Sequence, residues 1–504
     1  MDIHCIDFSK TNMFSKKFNE FIESHTKEDY YPSYKNLEAL TTKVKLSREQ
    51  REILSDVISD QYGGMVTSEK VRENIESLKA DDSFTVTTGH QLNIFSGPLY
   101  IIYKIISVIK LSENLSAMHP QKKFIPVYWM ASEDHDFEEI RRFFSKGKTY
   151  EWDIETSGAV GDIDPSSIKK LAGMIPDSVR LFEDAYSSSQ TLSEAVRKYM
   201  NTLFERYGLV VFDPSSKRLK SISSDLMRSD ILENKTSIIE DSSPEKSDVY
   251  VRKINFFYMR GGVRGRIESI GENFVVNGTE IKFKREEMEK EIEKYPERFS
   301  PNVVMRCLYQ QVIMPNVAYI GGPSEVVYWL GFRKFFNEYG KLYPVVVPRD
   351  SVLIISGKSS KTLERYGLDV EDIFLGKSHL EKKSLGVLSD EDKNFSVEIS
   401  QIRYQFEIIA KKFKSVDKTM SPHVLANSKK TEKMLHQVEK RFIKSQKDQD
   451  KALLTNISAL YNDSFPEGTP QERKENIMSF YTSTLIGELC EILDPMELKF
   501  KIIR

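Results

Sequence analysis

Four short stretches of the 504-residue chain carry side chains whose types and spacing could do chemistry. The first is Thr87-Thr88-Gly89-His90-Gln91, where the β-branched run Ser83–Thr87 meets a glycine and then a helical pattern. A strand that turns into a helix through glycine leaves backbone N–H groups and the positive helix end facing an anion. His90 fits that role, and it equally fits a turn histidine bonded to backbone. The second is Ser132-Glu133-Asp134-His135-Asp136, directly after the apolar run Phe124–Met130. Acids flanking an imidazole at the carboxyl end of a buried strand could hold Mg²⁺, accept a proton, or grip an amine or sugar hydroxyls. Capping the next helix needs only one of them. Asp134, His135 and Asp136 are therefore read as site residues, and Glu138 and Glu139 as first-turn acids that suit the helix dipole.

The third stretch places Asn302, Arg306 and Gln310 at i, i+4 and i+8, on one helix flank, ahead of Tyr319-Ile320-Gly321-Gly322-Pro323-Ser324-Glu325 and Tyr328. Gly321 and Gly322 allow a ligand close to the backbone, and the helix that starts there suits a carboxylate or phosphate. Arg306 could add a bidentate contact to an anion, although a helical arginine more often makes a surface ion pair. The fourth is Lys358-Ser359-Ser360-Lys361-Thr362, a lysine-rich loop after the last predicted strand.

The elements that must position these residues alternate. Residues up to about 80 read as charged helices, with Ser47 and Gln50 as a capping pair. Ser83–Thr87, a helix from about Pro98 to Leu115, and Phe124–Met130 form a βαβ unit and hence part of a parallel sheet. Ser166–Glu205 reads as helix and Gly208–Asp213 as a buried strand. Alternating runs from Tyr250 to Lys284, such as Val251–Ile254, predict hairpins, with Asn277-Gly278 as a tight turn. Ser300 and Pro301 are expected to open a helix that runs to Ile313. Asn316–Ile320 is a strand, Ser324–Tyr339 a helix, and Tyr343–Val347 and Val352–Ile355 the last strands. Ile402, Phe406, Ile409, Phe413 and Val416 then repeat at alternating four and three, and Leu435, Val438 and Phe442 continue the seam. That spacing predicts two long helices folded back as an antiparallel coiled coil. A final helix is expected from Gln471 to Leu493.

The fold class is thus α/β, a Rossmann-like parallel sheet with inserted connecting segments at about 145–300, followed by a helical coiled coil. The expected domains are 1–375, 376–465, and a helical segment at 466–504 that returns to the core. Charge argues against polyanionic partners: 73 basic and 75 acidic residues nearly cancel, with no long block of one sign. Neither nucleic acid nor membrane is expected as a partner. Cys5, Cys307 and Cys490 are scattered, with no paired spacing for a disulfide framework or zinc. With no signal-like or membrane-length apolar segment, the expected address is the cytoplasm.

Several runs resemble known families. Thr87-x-Gly89-His90 resembles the signature of Rossmann nucleotidyltransferases, whose histidine contacts ATP phosphates, and Lys358–Thr362 resembles the lysine-rich loop of class I aminoacyl-tRNA synthetases without its methionine. TTGHQLNIFSGPLYIIYK, PVYWMASEDHDFEEI, FSPNVVMRCLYQQVIMPNVAYIGGPSEVVYW and PVVVPRD together resemble the BshC family of bacillithiol biosynthesis. That resemblance implies addition of cysteine to glucosaminyl-malate through an amide bond, and a homodimer formed through the coiled coil. It also implies carboxylate activation, with ATP as the expected co-substrate and Mg²⁺ as a possible companion. His90, Asp134, His135 and Asp136 are then the catalytic candidates, with Arg306 on the malyl carboxylate. Gln91, Asn302, Gln310, Gly321, Gly322, Glu325 and Tyr328 are the other substrate-binding candidates, and Thr87, Gly89, Lys358 and Lys361 the nucleotide-binding ones. A nucleotidyltransferase of the Thr-x-Gly-His class and a non-catalytic coiled-coil scaffold are the alternatives.

Overall fold

The computed structural model describes residues 2–25, 37–173, 175, 180–385, 395–417, 419–449 and 451–504. The chain divides into two compact units. One comprises residues 14–352 and 472–501, and the other residues 1–13, 353–471 and 502–504.

The larger unit is built on five parallel strands: β1 (Ser83–His90), β2 (Lys123–Met130), β3 (Val210–Phe212), β4 (Asn316–Gly321) and β5 (Val345–Pro348). Their spatial order is β5-β4-β1-β2-β3. The chain starts in the middle, builds outward to β3, and returns to the other side of β1 for β4. The direction of winding therefore reverses between β1 and β4, and a doubly wound sheet opens its ligand crevice at that reversal, beyond the carboxyl ends of the strands.

The alternation within β1 sets its two faces. Phe84 and Val86 enter a core with Phe124, Val317, Ile320 and Val347, against Val108, Leu111 and Leu115 of α1 (Leu99–Met118). Thr85 and Thr87 point the other way and lie 3.2 and 2.7 Å from the side-chain amide of Asn316. Helix α1 is buried on nearly every side, which its apolar composition permits.

An antiparallel sheet of Phe256–Arg260, Val263–Ile270, Asn273–Val276, Lys282–Lys284 and Phe299–Pro301 fills much of the expected insertion. Its first hairpin turns through Gly261-Gly262, both with positive φ, as a two-residue loop requires. Val251–Ile254, expected to be a strand, is irregular chain ahead of this sheet.

Other boundaries also move. Pro301 closes a strand instead of opening a helix, and Asn302 caps α3 (Val303–Ile313). The long helix after β4 is two, α4 (Pro323–Leu330) and Arg333–Glu338. The helix expected over Ser166–Glu205 becomes Ile168–Ala172, Arg180–Ser187 and Leu192–Phe204, with 174 and 176–179 outside the described residues. The last expected helix is broken into Gln471–Lys474, a short turn at Ile477–Ser479 and Leu485–Ile492, and the chain ends on a strand, Phe500–Ile503. Ser351–Ile354 is a strand outside the parallel sheet.

In the smaller unit the backbone of Ile355 bonds to Ile503, and Asp2 to Arg504. Helices α5 (Gly357–Arg365), α6 (Ser396–Val416), α7 (Met420–Gln449) and α8 (Lys451–Ser464) follow. Helices α6 and α7 pair antiparallel: Arg403 grips Glu432 with two bonds of 2.9 Å, and Phe395 meets Phe442 at 6.0 Å between ring centroids. The internal seam differs from the expected one. Ile399, Ala410, Val424 and Ser428 are buried, while Ile409, Phe413, Val416 and Val438 stay exposed. The four-three spacing marks an apolar stripe without saying which neighbour covers it. Among the described residues no helix is long and apolar enough to cross a membrane.

Candidate active site

The crevice at the reversal is organised by three consecutive residues at the end of β1. Gly89 comes first. A Cβ there would stand 2.7 Å from Nη1 of Arg306, so glycine is what lets the guanidinium lie against the strand. Its carbonyl accepts from Lys104 Nζ at 2.9 Å, and the same ammonium lies 2.5 Å from Glu325 Oε2. Lys104 is 1% exposed, on the otherwise apolar α1.

Glu325 has further partners. Gly322 N–H donates to Oε2 at 2.7 Å and Tyr319 Oη to Oε1 at 3.0 Å. Burial alone would raise its pKa, but Lys104, the Gly322 amide and Arg306 hold it down at about 2. The Gly322 amide is therefore taken by the third residue of α4 and is not free for an anion. Arg306 is partly buried and, among the described residues, donates only to Tyr319 Oη, at 3.4 Å. No carboxylate of the described residues lies within 4.0 Å of it. Tyr319 stacks on Trp329 at 4.4 Å, and Tyr328 is half-buried on α4 beside Phe332.

His90 comes second. Its Nε2 is 2.9 Å from Tyr100 Oη and its Nδ1 accepts from Asn93 Nδ2 at 3.1 Å. Burial and then the Lys104 charge pull its pKa to about 3, so the imidazole is neutral at physiological pH. It belongs to the strand, and α1 begins nine residues later with its first amide bonded to the Glu475 carbonyl. The expected strand-glycine-helix phosphate cradle is absent here because the chain makes a separate turn between the two elements.

Gln91 comes third. One amide nitrogen donates to Asp134 Oδ2 at 2.7 Å and to Glu139 Oε2 at 2.5 Å. Asp134 also accepts from the amides of His135 and Asp136. Burial raises its pKa, yet Gln91, Arg264 and those amides prevail and keep it below the usual range. His135 accepts at Nδ1 from Arg264 Nη1 at 2.9 Å, since arginine can only donate. Asp136 accepts from Glu139 N–H at 3.3 Å and caps α2 (Phe137–Ile140).

Sequence reasoning thus marked both walls of the crevice. Some of its residues serve the fold instead. Asn302 accepts from the amides of Val304 and Met305 as the cap of α3. Gln310 is fully buried and, with the Asn316 oxygen turned toward it, donates to Asn316 at 3.0 Å. Thr87 is buried on that same amide. Lys358 and Lys361 lie in the first turns of a helix, not in a loop, and belong to the smaller unit. There Asp463 accepts from Ser356 and Ser359 at 2.8 and 2.6 Å, so the start of α5 already holds a carboxylate.

Four residues were missed. Tyr100 and Lys104 share a helix face whose neighbours three and four away are buried, so a helical projection would have turned the lysine inward. Glu139 reads from the sequence as a first-turn acid, and only the tertiary fold brings Gln91 to it. Arg264 sits on an alternating strand with nothing local to single it out. Among the described residues, no three His, Cys, Asp or Glu side chains form a group that could hold a metal ion.

The sequence profile described as "Bacillithiol biosynthesis BshC, N-terminal Rossmann-like domain" matches residues 1–350, and the companion C-terminal coiled-coil domain matches 352–504. Relatives named "Putative cysteine ligase BshC" include those of Christiangramia forsetii, 35% identical over 100% of this chain and 99% of that protein, and Flavobacterium johnsoniae, 34% identical over the full length of both. The relative from Salinibacter ruber is 29% identical over 92% and 91% of the two chains.

Proposed function

This chain belongs to the BshC family of bacillithiol biosynthesis, and from that premise we propose that it is a ligase joining cysteine to glucosaminyl-malate through an amide bond. The observation that carries the reading is the polarity of the crevice. A guanidinium without a carboxylate partner stands at one end of Gly89-His90-Gln91, and a pair of carboxylates at the other. A substrate with a carboxylate at one end and an amine at the other is complementary to it. Arg306 would take the malyl carboxylate. Asp134 and Glu139 would take the amine, with Asp134 orienting more than deprotonating, since every bond it makes favours its ionised form. His90, neutral and tied to Tyr100, supplies a hydrogen bond between the two ends without adding charge.

A carboxylate is a poor electrophile at neutral pH, so the cysteine carboxyl needs activation, and ATP is the donor we propose. The residues at the end of β1 do not fit its phosphates: Thr87 is buried on Asn316, and Gly89 is covered by Arg306. Nor does the start of α5 fit, with Asp463 in place. The second partner we propose is another copy of this chain, laid on the exposed apolar residues of the hairpin, Ile409 and Phe413 on α6 and Val438 on α7; light scattering that finds a monomer refutes it.

The test is incubation of the protein, with any partner factors, with cysteine, glucosaminyl-malate and ATP. Mass spectrometry should find the amide product, lost in Arg306→Ala and Asp134→Asn. No ATP-dependent product sinks the ligase reading. Pyrophosphate release that needs no cysteine would favour a nucleotidyltransferase.

A further inference from the structure

Three consecutive residues between His90 and α1 have left-handed backbone: Phe95 (φ 50°), Ser96 (φ 67°) and Gly97 (φ 65°). Only the last is glycine. Such conformations persist where the surroundings over-determine them, and they cluster at functional sites. Here the surroundings can be named. Tyr186 Oη accepts from the Phe95 amide at 2.7 Å, and Tyr199 Oη donates to the Asn93 carbonyl at 2.8 Å. Asn476 does the rest: its Nδ2 donates to the carbonyls of both Phe95 and Gly97, each at 2.7 Å.

Asn476 is fully buried and itself well held. Its Oδ1 accepts from the Met478 amide at 3.0 Å, and its own N–H donates to Phe144 O at 2.9 Å. The residue before it, Glu475, accepts from Leu99 N–H at 2.8 Å. One amide group from the far end of the chain thus bridges the two carbonyls that flank Ser96. The Ser96 hydroxyl contributes nothing in return, being buried with no partner among the described residues. His90 precedes this turn and Tyr100 follows it, and they meet at 2.9 Å. Whether they meet is decided by the path of the turn.

We propose that Asn476 is a positioning residue of the crevice: by donating to Phe95 and Gly97 it holds the left-handed turn that presents Tyr100 to His90. Its catalytic consequence rests on the proposed ligase reading, but the contact does not, so the experiment is read first on the free protein. Asn476→Asp keeps the shape and the cap on Met478 but cannot donate, and Asn476→Ser removes the bridging amide without adding charge. In both variants, histidine-selective NMR should show the His90 titration moving up from about 3 toward the ordinary histidine range. Lys104, Arg306, Glu325 and the Gln91 carbonyl still face the ring. Hydrogen exchange of the Gly97 and Ile101 amides should quicken, on the order of tenfold, with α3 unchanged as the folding control. Ser96→Gly added to Asn476→Ser should restore most of the protection, because glycine takes this backbone without steric cost. Folded variants with unchanged titration and exchange overturn the proposal, as does failure of the glycine rescue. If neither Asn476 variant folds, Ser96→Gly alone decides: a lowered thermal midpoint refutes a strained turn, and a raised one supports it. In the ligase assay kcat should fall while KM for the sugar substrate holds. A wild-type protein without product would count against the ligase reading and leave the NMR result for Asn476 unaffected.

Discussion

Two buried ion pairs in the larger unit have similar chemistry and opposite surroundings. At the first, Arg349 grips Glu472 with bonds of 2.9 and 2.7 Å, while Glu472 also accepts from Val352 N–H. Arg349 gives its remaining bonds to Asp350 O and Ser351 Oγ, with only Nε unpartnered. The charges balance and the group is closed, a staple between the C-terminal segment and the end of β5. At the second, Lys104 and Glu325 balance each other, but Arg306 stands beside them with one long bond to a tyrosine hydroxyl. A surplus buried cation is costly unless something pairs with it. Arg306 stands at the sheet's reversal, where doubly wound sheets bind ligands. Closure suits a structural role, and the uncompensated charge is what makes the second group the candidate site.

The largest test of that contrast is Glu472→Ala. Removing one partner of a closed buried pair should cost about 3–5 kcal/mol, seen as a lowered thermal midpoint. Arg306→Ala should do the reverse: little change in the midpoint, and a loss of about 2–4 kcal/mol in transition-state binding, read as kcat/KM. It should also make Gly89→Ala tolerable, since the atom that a Cβ would strike is gone. An Arg306→Ala protein that unfolds like Glu472→Ala would erase the distinction.

Acid separates the groups more finely. His90 titrates at about 3 in the fold against an ordinary 6.5. Its folded value is depressed, so its contribution is present above 6.5 and is lost as pH falls toward 3. Glu325, at about 2 against 4.5, loses its contribution only below 4.5. His90→Asn should therefore flatten the stability profile between pH 6.5 and 4.5, where Glu325→Gln leaves the slope unchanged. The smallest effect is expected at Asp136→Ala, the loss of a helix cap worth about 0.5–2 kcal/mol, with catalysis kept. If Asp136→Ala abolishes activity while Asp134→Asn does not, the carboxylate end of the crevice has been misassigned.

Much of the candidate site is legible in the sequence because motif and element coincide. A glycine after a β-branched strand, acids after an apolar strand and paired glycines after another all stand at carboxyl ends of parallel strands, where such folds bind ligands. The errors share a cause as well. Asn302, Gln310 and Thr87 suggest ligand contacts by residue type alone, and polar side chains serve caps and buried bridges as readily as ligands. Lys104 was passed over because a lysine in an apolar helix looks like an interruption until its burial is known. The break at Glu475-Asn476 was invisible, since its reason is a turn that lies 381 positions away.

By itself the sequence determined the classes of element and their order: a parallel α/β core, an inserted antiparallel sheet and a helical hairpin. Hydrophobic period and turn chemistry are local, and they suffice for that. Tertiary structure alone decided which charges are closed and which are left over. Pairing is set by through-space distances of a few ångströms between residues far apart in the chain, such as Lys104 with Glu325 and Arg349 with Glu472. It also decided that Gly89 is glycine for Arg306, and that Phe95 and Ser96 can be left-handed because Asn476 is there.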